Sequence, residues 1–167
     1  MPEEQELLAQ AVHTLELDLS TRQLVAPPSS IWAAAGLTSL NLSCNCLETL
    51  PAEIGQLRGL AYLDTSFNKL HALPQQLSQL SRLTCLDAAY NQLAALCDGV
   101  CSLPLLQLLS LHDNQITHLP EAVATLPSLT TLDLQFNPLR QLPDSLLAVR
   151  CVSWLTTCHS VTSACVV

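Results

Sequence analysis

The sequence repeats with a period of 23 residues, and this period constrains the fold more than any other feature. A fixed period of about 20–50 residues is the signature of repeat proteins, in which each unit buries its apolar face against its neighbours. Each copy follows the template L-x-x-L-x-L-x-x-N-x-L-x-x-L-P-x-x-I-x-x-L-x-x. The six copies begin at Thr14, Leu37, Leu60, Leu83, Leu106 and Leu129.

The positions within a copy predict a strand, a turn and a short helix. The fourth position is Leu in all six copies, and the alternation x-Leu-x-Leu-x predicts a strand whose leucines point inward. Proline fills the fifteenth position in five copies, with Cys97 as the exception, and suits the first turn of a short helix. Asparagine fills the ninth position in five copies, where its amide can satisfy the backbone groups of a turn. The predicted asparagine ladder comprises Asn45, Asn68, Asn91, Asn114 and Asn137.

These leucines, asparagines and Leu-Pro steps resemble the leucine-rich repeat family. The 23-residue spacing is similar to that of its intracellular class, which includes Ras-pathway and polarity scaffolds. The resemblance implies an α/β solenoid, or horseshoe, with a concave parallel sheet and short helices on the convex side. It covers residues 14–151, which are predicted to form six repeats.

The two ends of the chain are predicted to differ. Residues 1–13 carry the amphipathic segment EEQELLAQAV and are predicted to form an N-terminal capping helix. Residues 152–167 contain no charged side chain and read as a degenerate repeat or truncated tail, with Trp154 at its outward third position. Two explanations stay open. The chain is a truncated or alternatively terminated form of a longer array, or the tail ends in a strand that meets a partner or a second copy.

Charge and composition exclude several functions. Six Lys and Arg against fourteen Asp and Glu give a net charge of −8, which opposes binding to nucleic acids and anionic membranes. The four glycines are not clustered, so no phosphate-binding loop is predicted. The sequence has no apolar stretch of about 18 residues, and the N-terminus MPEEQE is acidic where a secretory leader is basic. A soluble, cytoplasmic protein without a membrane span, whose eight cysteines are thiols, is therefore expected.

No catalytic, cofactor-binding or metal-binding residues are predicted. The five histidines do not share one position of the repeat, and the pairs Cys44-x-Cys46 and Cys97-x-x-x-Cys101 lack the partners of a zinc site. An open, hydrated sheet also lacks the enclosed pocket in which catalytic groups converge. The chain is therefore predicted not to be an enzyme and to need no cofactor.

The outward strand positions predict the binding surface. Asp recurs at the fifth position, where it forms an acidic binding row or is simply the residue common there in the family. Tyr62 and Trp154 are candidate aromatic anchors, whereas the rings of Phe67 and Tyr90 are expected to pack at the strand end beside small neighbours. The predicted partner-binding residues of the concave face are Glu16, Asp18, Asn41, Tyr62, Asp64, Asp87, Ser110, His112, Asp133 and Gln135.

These features predict a non-catalytic protein–protein interaction module, a scaffold or adaptor in signal transduction. The acidic row favours a partner protein with a basic surface, and the C-terminal edge allows self-association. Other functions stay open: the recognition arm of a larger signalling enzyme (GTPase, kinase or ubiquitin ligase) whose catalytic domain is absent from this chain, a receptor ectodomain fragment, or a structural subunit. Changing Asp64, Asp87 and Asp133 to Lys is expected to abolish partner capture without changing circular dichroism or melting.

Overall fold

The sheet of the protein runs in chain order, one strand per repeat. The computed structural model describes residues 14–147 and 153–155. All seven strands are parallel, and each pairs with the strand before and after it in the sequence. The strands are β1 (Glu16–Asp18), β2 (Ser39–Asn41), β3 (Tyr62–Asp64), β4 (Cys85–Asp87), β5 (Leu108–Ser110), β6 (Thr131–Asp133) and β7 (Ser153–Leu155).

The strand register follows the sequence period. Leu40 pairs with Leu17 on one side and Leu63 on the other, so each step across the sheet is one 23-residue copy. The central leucine of each strand from β1 to β6 is buried, while its neighbour at the third position is more exposed. Because side chains alternate along a strand, the leucines form one stacked core column and the flanking residues form the outer face. The predicted strand, solenoid and concave parallel sheet are confirmed.

The last strand departs from this period. Trp154, not Leu155, pairs with Leu132, so the step from β6 to β7 is one residue shorter than the others. The expected start of the seventh copy at Val152 would pair Leu155 with Leu132, and the observed register differs from that expectation by one residue. The predicted capping helix at 1–13 and the rest of the tail lie outside the described residues.

The opposite side of each repeat is a single helical turn. Most of these turns are 3-10 helices rather than α-helices, and each is at most five residues long. The proline at the fifteenth position precedes the helix instead of opening it, and its carbonyl accepts the first N–H: Pro51 O accepts from Ile54 at 3.2 Å. Cys97 O accepts from Val100 at 3.1 Å in the same way, so Cys can replace Pro here. The turns are Ser29–Ala33, Ala52–Gln56, Gln75–Gln79, Asp98–Cys101, Glu121–Thr125 and Asp144–Leu147.

A ladder of buried asparagines joins consecutive repeats. The Asn68 amide nitrogen donates to Leu42 O of the preceding repeat at 2.9 Å and to Thr65 O of its own at 3.1 Å. Its amide oxygen accepts from the Leu47 N–H at 2.9 Å. The same pattern recurs at the other four predicted positions, each of them buried. The predicted ladder is confirmed, and it fixes the turn that follows each strand.

Candidate partner-binding surface

The predicted binding residues lie on one side of the sheet, in rows that run across the strands, and all but Ser110, which is buried at 8% exposure, are at least partly exposed. The register aligns Asp64 with Asp87, and Tyr62 with Cys85. Neighbouring strands lie about 4.8 Å apart, so each row presents a side chain at that spacing. Glu16, Asp18, Asn41, Tyr62, Asp64, Asp87, Ser110 and Asp133 lie within β1–β6, while His112 and Gln135 follow their strands by two residues.

The fifth position of the repeat, which is the last residue of each strand from β1 to β6, has a structural role. One Asp64 carboxylate oxygen accepts the Ser66 N–H at 2.8 Å, and Asn41 accepts the Ser43 N–H at 2.9 Å in the same geometry. Equivalent bonds form at Asp18, Asp87 and Asp133. Asp and Asn favour such side-chain bonds to the backbone two residues on, which explains why they recur here. The row is acidic partly because the turn requires an acceptor.

Two carboxylates, Asp64 and Asp87, lie side by side on β3 and β4 and interact with each other. Burial raises the pKa of the Asp87 carboxyl, and the like charge of Asp64 on the neighbouring strand raises it further, against the lowering effect of the Ala89 N–H, Ser110 and His112. Burial also raises the pKa of the Tyr62 hydroxyl, as do Asp64, Cys85 and Asp87.

Burial raises the pKa of the neighbouring Cys85 thiol too, with smaller contributions from Asp87 and Asp64. Within residues 14–147, the ion pair of the structure joins His112 to Asp113 at 3.2 Å. In this part of the chain, therefore, no Lys or Arg forms an ion pair with Asp64 or Asp87. The centre of the face is therefore an unneutralised pair of like charges.

Stacked aromatic rings lie beside this acidic centre. The rings of Phe67 and Tyr90 are stacked with centroids 4.1 Å apart and an interplanar angle of 16°. The His112 ring contacts Tyr90 edge-on at 4.7 Å. Phe67 and Tyr90 are 52% and 41% exposed, so the expectation that they pack at the strand end is wrong. The small Thr65 and Ala88 are themselves fully buried, whereas both rings remain at the surface.

A backbone feature that the sequence analysis missed explains this exposure. Phe67 and Tyr90 have φ values of 52° and 51°, in the left-handed region, where the chain reverses between the strand and the inward asparagine. The eighth side chain therefore points out while the ninth points in. In five copies the eighth residue comes directly before the ninth-position asparagine, and this constant spacing is the sequence signal that would have revealed the outward turn. All six eighth positions share this conformation, and none is glycine: Thr21, Cys44, Phe67, Tyr90, Asp113 and Phe136.

The remaining titratable groups of the described residues lie apart from this face. Within residues 14–147 and 153–155, no three His, Cys, Asp or Glu residues are grouped to hold a metal ion. Burial, with Asp98 and Cys97 nearby, raises the pKa of the Cys101 thiol to about 11. Because the thiolate is the nucleophile, burial disfavours the reactive form of this thiol. His118 contacts Thr117 at 2.9 Å in an exposed turn.

The sheet, the ladder and the period define the class of the protein as a parallel-stranded repeat solenoid. A family model described as "Leucine rich repeat" matches residues 35–93 and 81–139. These matches cover more than half of the sequence. The chain belongs to the leucine-rich repeat family.

Solved structures agree with this assignment. A leucine-rich repeat protein of Leptospira interrogans is 30% identical with a TM-score of 0.78, over 90% of this chain and 45% of that one. The leucine-rich repeat domain of the type III effector XopL is 25% identical with a TM-score of 0.79, over 94% and 57%. The Arabidopsis thaliana receptor kinase GASSHO1/SCHENGEN3 ectodomain, in complex with CASPARIAN STRIP INTEGRITY FACTOR 2, is 32% identical with a TM-score of 0.76, over 89% and 19%.

This chain thus spans less than two thirds of the length of each of these structures. No curated protein matches the sequence significantly. In the part of the chain that the structure describes, no helix is long and apolar enough to cross a membrane.

Proposed function

We propose that this chain is a non-catalytic protein-interaction module, a scaffold or adaptor, that binds a partner protein on its concave face. The observation that carries the proposal is the outer face of β3 and β4, where unneutralised carboxylates lie beside exposed stacked rings. Exposed aromatic rings of this kind are typical interaction sites, and the carboxylates favour a basic partner surface. The complex formed by one structural neighbour supports the use of this fold for recognition.

We further propose that the protein works in the cytoplasm as part of a signalling pathway. Support comes from the cysteines within residues 14–147, which are free thiols: Cys44, Cys46, Cys85, Cys97 and Cys101. Cys44 is exposed, and exposed thiols persist best in a reducing compartment.

The second candidate is the recognition arm of a larger signalling enzyme. It is favoured by the neighbour whose repeats form the ectodomain of a receptor kinase, of which this chain covers 19%. Both candidates use the same concave face, and they differ in whether a catalytic domain is attached to it.

The test compares two variants that each lose three charges. Asp64→Asn, Asp87→Asn and Asp133→Asn together remove the concave charge, while each amide still accepts the turn N–H, as Asn41 does. Charge reversal to Lys is a poorer choice because it removes that acceptor and changes stability as well as charge.

The matched control is the combination of Glu48→Gln, Glu53→Gln and Asp98→Asn, all exposed residues outside the strands. Proteins captured from a cell extract are compared by quantitative mass spectrometry. We expect a specific set of partners to be lost by the concave variant and kept by the control. If the control loses the same proteins, or if neither variant loses any, the concave face is not the binding surface.

A further inference from the structure

The stacked rings form a preorganised platform with an open side. One face of Phe67 lies against Tyr90 at 4.1 Å, yet more than half of the Phe67 side chain is exposed. The eighth position of the preceding repeat is Cys44, whose side chain is much smaller than a ring. On this side the neighbour in the row is therefore too small to cover the Phe67 ring as Tyr90 does on the other side.

Each ring of the platform lies next to a carboxylate on the same turn. The Ser66 N–H, one residue before Phe67, bonds to Asp64 at 2.8 Å. The Ala89 N–H, one residue before Tyr90, bonds to Asp87 at 3.0 Å. The fold thus places two carboxylates on adjacent strands, each three residues before a ring of the platform. Asp64 also accepts a hydrogen bond from the Tyr62 hydroxyl, and Asp87 accepts one from the Ser110 hydroxyl.

We propose that this surface, formed by Phe67, Tyr90, Asp64 and Asp87, binds an arginine side chain presented by an extended segment of a partner protein. The proposal rests on the proposed function and adds the chemistry of the partner. A guanidinium group is planar, stacks on aromatic faces and donates two parallel hydrogen bonds to a carboxylate. Lysine matches the charge but neither the plane nor the fork, so arginine complements both parts of the surface.

The charge of the surface supports this occupant over others. Asp64 and Asp87 repel each other and have no Lys or Arg partner within residues 14–147, so an incoming cation relieves the repulsion. The net charge of −8 disfavours a phosphate-bearing partner. A second copy of this chain is a poor match as well, because it carries only six Lys and Arg against fourteen Asp and Glu.

The experiment uses N-acetyl-arginine amide as the probe, titrated into the isotope-labelled full chain and followed by NMR. We expect saturable shifts of the Phe67 and Tyr90 ring signals and of the Ser66 and Ala89 amides, weaker at higher salt because the charges are exposed. N-acetyl-lysine amide should bind more weakly, and N-acetyl-citrulline amide, which keeps the plane but lacks the charge, should not saturate. Equal binding of the lysine and arginine probes overturns the proposal.

Variants locate the site. Phe67→Ala removes the open ring face and should weaken the arginine probe about two- to fivefold, the range expected for an exposed cation–π contact. Phe136→Ala is the matched control, since Phe136 occupies the same row and backbone conformation two repeats beyond Tyr90. An equal loss in both variants, or none in Phe67→Ala, contradicts the assignment. The amide spectrum of each variant checks that the fold is intact.

The arginine-probe titration and the capture experiment can fail independently of each other. If the arginine probe fails while the concave variant still loses its captured proteins, the arginine site is wrong and the proposed function stands. If the probe binds as expected but no captured protein depends on the concave charges, the site is real and the proposed function fails.

Discussion

At the scale of single residues, the fifth position of the repeat is subject to two demands, and these conflict where Asp occupies it on adjacent strands. The turn needs a side-chain acceptor there, which Asp and Asn both supply. Asp at this position on adjacent strands also puts like charges side by side, as at Asp64 and Asp87. Burial and this repulsion both raise the Asp87 pKa, so folding favours its protonated form.

The first prediction is that Asp87→Asn stabilises the protein at neutral pH. The amide keeps the bond from the Ala89 N–H and removes the repulsion, so we expect a gain of about 0.2–1 kcal/mol in the free energy of unfolding. A carboxyl whose pKa is raised by folding adds stability below its unfolded pKa, and that stability is lost as pH rises through its folded pKa. The gain of the variant should therefore disappear in acid.

Urea unfolding of both proteins across pH checks this dependence. The control is Asp133→Asn, since Asp133 pairs with Ser110 and Leu155 instead of another carboxylate and should gain less. A lower stability of Asp87→Asn at neutral pH, or a gain that persists in strong acid, contradicts the electrostatic explanation.

The residues also show where sequence reasoning succeeds and where it stops. The core leucines and the buried asparagines could be placed because each obeys a period that the backbone geometry dictates. The exposure of Phe67 and Tyr90 could not, because a left-handed backbone turn decides it and no glycine marks that turn. Tyr62 was placed correctly on the outer face because it lies within the alternating strand.

At the scale of elements, the helical turns of neighbouring repeats pack so closely that only a small side chain fits at some contacts. The turn Asp98–Cys101 packs against the turn Gln75–Gln79 of the preceding repeat. Gly99 lies at this contact, where an added Cβ would come within 2.4 Å of the Gln75 carbonyl oxygen. The sequence indicated a helix here but not its 3-10 or α type, because runs of four or five residues carry too little periodicity to distinguish the two.

The second prediction follows from this contact. Gly99→Ala should destabilise the protein by about 1–3 kcal/mol, because the new methyl group meets backbone that cannot rotate away. Gly36→Ala is the control: its Cβ would meet only Leu15 Cδ2 at 3.5 Å, an ordinary contact. That variant should be neutral or gain up to about 1 kcal/mol through the unfolded chain. Thermal melting of both variants measures the difference, and a Gly99→Ala protein as stable as Gly36→Ala contradicts the close packing.

At the scale of the whole molecule, stability comes from contacts between neighbouring repeats. The Asn68 amide bonds to the preceding repeat, and the Asn91 oxygen accepts from Leu70 in the Asn68 repeat, so every inner copy is tied on both sides. In such a linear array a change in the middle affects both flanks, whereas a change at one end affects mainly that end.

The third prediction tests this one-dimensional coupling with two core leucines at different places in the array. Leu86 lies fully buried in β4, and Leu86→Ala should cost about 2–5 kcal/mol and speed amide hydrogen exchange in strands on both sides of it. Leu17 is equally a core residue but lies in β1, so Leu17→Ala should speed exchange in the first repeat and leave β4 protected. Hydrogen exchange measured by mass spectrometry resolves the strands individually. Equal loss of protection in β4 from Leu17→Ala would mean that the repeats unfold as one indivisible unit, and an effect of Leu86→Ala confined to its own repeat would mean that they do not support one another.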